Sequence, residues 1–294
     1  MKHTFKVTFL ILIIFLLTQF MGIFILYNYI DHSQGVSEGK TVFKDLPFGE
    51  RPQLKEQTSY LPIILALLIG TGILFLLIKY QFFLLWKLWY LMAVILSLTI
   101  SLGIFIQPLY AFFLSLFFGL WKVFRPNVLI HNFTEIFVYG GLAAIFVPVF
   151  NLWSINILLL LISVYDMYAV WKSKHMVFLA KSQAKANIFA GLLIPYSKHH
   201  LSLKMDKSNR KKEKGRTALL GGGDIGFPLI FTGVVLHSFG VWQSLIIPIF
   251  SGAALFLLLI KGNKDKFYPA MPFITLGCWL GLAVIWLISY FLGL

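Results

Sequence analysis

Residues 88–123, LWYLMAVILSLTISLGIFIQPLYAFFLSLFFGLWKV, decide how the chain is threaded. They read either as one apolar segment or as two that part at Gln107-Pro108. Proline restricts the residue before it and lacks the N–H that a helix interior needs, so the dipeptide is a natural helix boundary. A spanning helix takes about 20 predominantly apolar residues. With the split, nine such segments follow one another at 7–30, 60–78, 88–106, 109–123, 128–150, 152–170, 218–239, 241–260 and 272–294. Lysine and arginine arbitrate. With nine spans and an inside N terminus, 21 of the 25 fall inside, and only Lys40, Lys44, Arg51 and Lys55 fall outside. Were residues 88–123 one span, every later segment would flip and the count would reverse, 4 inside and 21 outside. The positive-inside rule therefore selects nine transmembrane helices, N terminus cytoplasmic and C terminus extracellular.

Composition agrees. Of 294 residues 59% are apolar and 12% charged, about half the charge of a soluble domain, and the mean hydropathy is +0.84. The fold class is all-α: a polytopic membrane protein of the cell membrane, read as one membrane-embedded domain over residues 1–294. The net charge of +14 would suggest nucleic acid in a soluble protein. Here the cations occupy connecting segments, and no nucleic-acid partner is expected. Cys278 is alone, which rules out an internal disulfide or a multi-cysteine metal site. Lys2 and Lys6 precede an apolar core longer than a signal-peptide h-region and without a small-residue cleavage site, so the first helix is read as retained. No internal repeat supports an inverted-repeat transporter.

Two connecting segments are long. Residues 31–59 carry glycine, proline and mixed charge without periodicity, and predict irregular structure without chemistry. Residues 171–217 form the cytoplasmic loop between helices six and seven. Within it, 172–185 extend helix six in a basic amphipathic pattern, 188–194 are apolar but too short to span, and 204–216 are polar and basic.

Three of the 11 acidic residues fall inside predicted helices: Glu135, Asp166 and Asp224. Intramembrane carboxylates are costly and point to function by default. Asp166 lies near the inner end of helix six and Asp224 near the inner start of helix seven, at depths of roughly 8 and 10 Å from the same side. Adjacent antiparallel helices would let both serve one site. Two close carboxylates share a proton, so one can act as general base towards water while the other polarises a carbonyl. Gly221, Gly222 and Gly223 leave the backbone before Asp224 bare, open to close approach by a substrate or a neighbouring helix. Pro269 and Pro272 deny regular helix to residues 268–272 at the entrance of helix nine, on the same side.

Other intramembrane chemistries fit less well. Glu135 has no partner of comparable specificity and reads as structural, and His237 as a packing residue. No His/Asp/Glu spacing suits a metal, and no helical serine has a histidine partner. A proton-coupled carrier or cation leak titrating the two aspartates, and a non-catalytic scaffold, remain as alternatives. Neither needs the glycines or the proline pair.

On these residues the chain resembles the presenilin and signal peptide peptidase family of intramembrane aspartyl proteases. Tyr165-Asp166 matches the family's tyrosine–aspartate motif, and Gly221-Gly222-Gly223-Asp224 its glycine–x–glycine–aspartate motif. Pro269-Ala270-Met271 matches proline–alanine–leucine in two of three positions; methionine is a flexible apolar substitute for leucine. An inside N terminus resembles the presenilin branch, and the compact chain looks like an archaeal presenilin homologue. The resemblance implies hydrolysis of peptide bonds within transmembrane segments of other proteins. Asp166 and Asp224 would be catalytic, Tyr165 supporting, and Gly221, Gly222, Gly223, Pro269, Ala270 and Met271 would bind substrate. No cofactor or metal is expected. The partners are transmembrane-helix substrates and the lipid bilayer, with obligatory partner subunits and homo-oligomers left open. The run 188–194 is expected either to occlude the catalytic entrance or to lie flat on the lipid as an anchor.

Overall fold

Lipid offers the backbone no hydrogen-bond partner, so apolar runs become helices that satisfy themselves. The computed structural model describes residues 5–31, 42–125, 127–172, 188–195, 217–262 and 268–292. Its helices are α1 (Phe5–Tyr29), α2 (Tyr60–Lys79), α3 (Phe83–Leu102), α4 (Pro108–Phe124), α5 (Val128–Phe146), α6 (Leu152–Met167), α7 (Gly223–Phe239), α8 (Ile246–Lys261) and α9 (Met271–Leu292). A 3-10 turn, Val147–Val149, extends α5, and the short turn Val241–Ser244 leads into α8. Among the described residues, seven helical segments are long and apolar enough to cross a membrane, and α4 and α7 are shorter apolar helices of 17 residues each. The protein is an integral, multi-pass, largely helical membrane protein.

Local chemistry sets the helix boundaries. The stretch that decides the threading is broken: α3 ends at Leu102, Gln107 caps α4, and Pro108 opens it where no N–H is required. The two helices pack against each other. Asn127 caps α5 by accepting from Leu129 N–H at 2.9 Å. Asn151 and Ser154 form a reciprocal capping box at the start of α6.

The core sits around α1, α5, α6, α7, α8 and α9, with Phe15, Leu26, Leu158, Leu229, Phe231 and Ile274 among its buried residues. Small residues let the helices meet closely, as membrane packing requires. A β-carbon on Gly141 of α5 would fall 1.9 Å from the Ser97 carbonyl oxygen of α3. By contrast α2 turns most of its surface outward, with only Leu77 and Ile78 buried.

After α1 the chain forms a two-residue antiparallel pair of β1 (Ile30–Asp31) with β2 (Val42–Phe43). Residues 44–59 are otherwise irregular, as expected. Arg51 ties them to α5, donating to the Ala144 carbonyl at 3.2 Å and to the Lys44 carbonyl at 2.7 Å.

Two expectations need correction. Helix seven starts at Gly223 rather than 218, because residues 217–221 run as a strand, so the depth of Asp224 cannot be counted in helical rises. Lys122, counted as a loop cation, is 3% exposed and paired inside the protein. The remaining charge asymmetry is unaffected. The amphipathic stretch at 173–185 and the basic stretch at 204–216 lie outside the described residues.

Candidate active site

Asp166 occupies the last turn of α6 and is 5% exposed. Its Oδ2 accepts the backbone N–H of Met271, 105 residues away, at 3.1 Å. One turn before Asp166 and one turn after Met271, the Ser163 and Thr275 hydroxyls meet at 2.9 Å, so α6 and α9 are joined by two polar contacts in register. Pro269-Ala270 explains why the Met271 N–H is available. It stands at the first residue of α9, where no helical carbonyl precedes it. The Ala270 carbonyl meanwhile accepts from Phe273 and Ile274 N–H, both at 3.1 Å, and starts the helix. Immediately after Asp166, residues Tyr168–Lys172 widen into a π-turn, a distortion found often at functional sites. Tyr165 is 39% exposed and lies against Thr71 of α2.

Asp224 lies in the first turn of α7, where the N-terminal end of the helix dipole favours a carboxylate. Pro228 follows four residues later and cannot donate to the Asp224 carbonyl, which loosens that turn. From α1, the buried Gln19 reaches across and donates to the Ile225 carbonyl at 2.9 Å.

The chain arrives at Asp224 through a strand. β3 (Gly191–Pro195) pairs antiparallel with β4 (Thr217–Gly221), Gly191 opposite Gly221 and Leu193 opposite Leu219. Gly222 N–H continues the ladder to the Ala190 carbonyl at 3.1 Å. That bond fixes the alternation of the ladder. Even-numbered residues of the two strands bond each other, and odd-numbered ones direct their N–H and C=O groups to the outer edges. Gly191 has φ +135°, and a β-carbon there would fall 2.1 Å from the Leu220 carbonyl oxygen, so this position requires glycine. On Gly222 a β-carbon would lie 2.7 Å from the Tyr139 hydroxyl, and on Gly221 3.2 Å from Asp224 Oδ2. Gly223 would make only ordinary contacts, the nearest at 3.5 Å.

The apolar run 188–194 is therefore no lipid anchor. Ile188, Leu192, Leu193 and Ile194 are all buried within the protein. Its outer edge is held by side chains. Asn132 of α5 exchanges two bonds with Leu193, accepting its N–H at 2.9 Å and donating to its carbonyl at 2.7 Å. His131 Nε2 donates to the Gly191 carbonyl at 2.7 Å. The Tyr90 hydroxyl of α3 lies 2.9 Å from the Phe189 carbonyl and 3.2 Å from Glu135 Oε1. Glu135, read as lacking a specific partner, pairs with Lys122 of α4 at 2.5 Å, both side chains being 2% exposed or less. His131, Glu135 and Tyr139 recur every fourth residue, a helix-face signal present in the sequence. Its partners on α3, α4 and β3 were not. His237, as expected, packs, its ring edge-on to Phe43 with centroids 6.0 Å apart.

The three helices that carry the motifs, α6, α7 and α9, pack on one another. Asp166 is joined directly to Met271, and Asp224 follows the three glycines at the start of α7. Two solved structures, each of a presenilin family intramembrane aspartate protease, share this fold. One, in space group C222, has a TM-score of 0.60 at 17% identity, covering 93% of this chain and 94% of that one. The other, in P2, has a TM-score of 0.57 at 17% identity, covering 95% and 96%. A search of curated proteins finds no match. Residues 44–290 match the family described as signal-peptide peptidase, presenilin aspartyl protease, and the three motifs lie within that span. The chain thus belongs to the signal-peptide peptidase and presenilin family of aspartyl proteases, and is a membrane-embedded peptidase of the aspartic type.

Proposed function

We propose that the protein is an intramembrane endopeptidase that cuts transmembrane segments of other proteins, with Asp166 and Asp224 as its catalytic pair. The observation that carries the assignment is the hydrogen bond from Met271 N–H to Asp166. It unites the first and third motifs, while the second, on α7, belongs to the helix packed against both. One proton is shared by the pair. The ionised carboxylate takes a proton from water, whose oxygen attacks the scissile carbonyl carbon. The protonated carboxyl donates to the carbonyl oxygen, giving a gem-diol. Return of a proton to the amide nitrogen breaks the C–N bond and frees a carboxyl and an amine.

A helical substrate hides its carbonyls and must unwind. Among the described residues β4 has β3 on one edge and no strand on the other. Leu219 and Gly221 direct N–H and C=O groups to that open edge, by the alternation of the ladder. An unwound substrate adding there as a strand would pair with residues three and five positions before Asp224. Proline at 269 keeps α9 from extending across the site, and the tyrosine of Tyr165-Asp166 faces α2, the helix least enclosed by others. Orientation follows the charge asymmetry: N terminus in the cytoplasm, catalytic pair towards the cytoplasmic side.

The test is to incubate the purified protein with a single-span substrate, wild type beside Asp166→Ala and Asp224→Ala. Products from wild type alone are expected, and turnover by either variant rejects the pair. The wild-type pH profile should be bell-shaped, since the singly protonated pair is the active form. A rate that rises monotonically to pH 9, about five units above the pKa of an ordinary aspartate, would point to another base.

A further inference from the structure

The polar stripe on α5 takes no part in the chemistry above, yet it carries the Lys122–Glu135 ion pair, 2% exposed or less on both sides. Taking two charges out of water is unfavourable unless their geometry is used, and replacing such a pair by apolar groups often costs nothing. Mere packing is thus a weak reason for keeping it. The stripe follows the catalytic approach residue by residue. Asn132 bonds Leu193 as a neighbouring strand would, with both an N–H and a C=O engaged. His131 holds Gly191, and Tyr90 holds Phe189. Each of these is an odd-numbered residue, on the edge of β3 that faces away from β4. Glu135 stands behind them, within reach of Tyr90 and of His131 at 3.8 Å. One turn on, the buried Tyr139 hydroxyl stands at Gly222, 2.7 Å from where a β-carbon of that residue would lie. Side chains of α5, with Tyr90 of α3, thus take up the outer backbone groups of β3 and of the residues before it, while the inner edge of β3 pairs with β4, the strand that leads to Asp224.

We propose that Tyr90, His131 and Asn132, braced by the Lys122–Glu135 pair, are positioning residues for the reaction: they seat β3, and through β3 and β4 they fix the backbone that presents Asp224. This rests on the assignment of Asp224 as catalytic. It departs from the expectation that residues 188–194 occlude the entrance. A strand that blocks the site should speed cleavage when loosened. A strand that seats Asp224 should slow it.

The full-length protein in detergent is assayed on a single-span substrate, separating kcat from KM. Asn132→Ala removes both bonds to Leu193 and should lower kcat about tenfold with KM within about twofold, the pattern of a misplaced catalytic group. Tyr90→Phe removes one hydroxyl, keeps the ring, and should lower kcat about threefold. It serves as the decisive variant should Asn132→Ala not fold. Rescue supplies the reading that a loss of stability alone would not give. Leu193 and Leu219 face each other as a non-bonded antiparallel pair, the closer of the two spacings. Leu193→Cys with Leu219→Cys, added to Asn132→Ala or Tyr90→Phe, clamps β3 to β4 on oxidation. Oxidation should raise kcat in the same sample, and reduction should lower it again. Unchanged or faster cleavage by the single variants, or loss confined to KM, overturns the proposal, as does a clamp whose oxidation leaves kcat unmoved. If instead wild type does not cleave, or Asp224→Ala does, the catalytic assignment fails first.

Discussion

Asp166 and Asp224 are held in the fold by different means. Asp166 ends a buried helix and is fixed by α9, through one backbone N–H and the neighbouring Ser163–Thr275 contact. Asp224 begins a helix whose approach is the strand β4, and the partner of that strand, β3, is held on its far edge by side chains of α3 and α5. The electrostatics differ as well: the N-terminal end of α7 favours a negative charge, the C-terminal end of α6 does not. One carboxylate thus depends on its immediate surroundings, and the other on a chain of contacts reaching α4. Remote substitutions should act through Asp224.

The largest losses are expected at the carboxylates themselves. Asp166→Ala, Asp224→Ala and the asparagine variants should each lose activity by roughly 10²–10⁴-fold, the usual contribution of a general acid or base. Thermal unfolding should show all four still folded. Asparagine keeps the shape but cannot titrate, so activity in either asparagine variant contradicts the shared proton.

Next comes the brace behind Asp224. Glu135→Gln leaves Lys122 buried without a counter-charge and should destabilise the protein by about 3–5 kcal/mol. Replacing Lys122 and Glu135 together by methionine should restore most of that loss. A thermal unfolding series on the single and double variants measures it. Additive losses would mean the two residues do not act as a pair.

Glycine substitutions then sharpen the approach to Asp224. Gly222→Ala meets the Tyr139 hydroxyl at 2.7 Å, and should slow cleavage about tenfold through misplacement. Tyr139→Phe in the same chain should recover part of the rate. Gly223→Ala meets nothing closer than 3.5 Å, and its rate should stay within about twofold of wild type. Equal losses at the two positions would show that the motif needs flexible backbone rather than space.

The smallest effect belongs to Met271. Asp166 uses its backbone N–H, so Met271→Leu, a volume-conserving change, should alter kcat/KM by less than about twofold. Pro269→Leu leaves the same N–H in place but permits α9 to extend, and should impair cleavage more than Met271→Leu does. A Pro269→Leu enzyme as active as Met271→Leu would show that the proline is not what keeps α9 off the site.

Much of this architecture was legible in the residues. Apolar runs of fixed length, the Gln107-Pro108 break and the distribution of lysine and arginine are local or additive properties. Helices satisfy their own backbone, so such properties suffice to find them. Asp166 and Asp224 stood out because a carboxylate within an apolar run is costly wherever the run packs. Tertiary structure alone decided the rest. Residues 218–221 read as the start of a helix, because a short apolar run has no preference strong enough to resist its neighbours. They became a strand once β3 offered its edge. Lys122 resembled a loop cation, and Glu135 lacked a partner, until α4 and α5 packed and left each as the other's only counter-charge at hydrogen-bonding distance among the described residues. Met271 gave no sign that its N–H would reach an aspartate 105 residues away. Hydrogen bonds and ion pairs between distant segments depend on distances that composition and periodicity do not contain. Only the packed fold sets those distances.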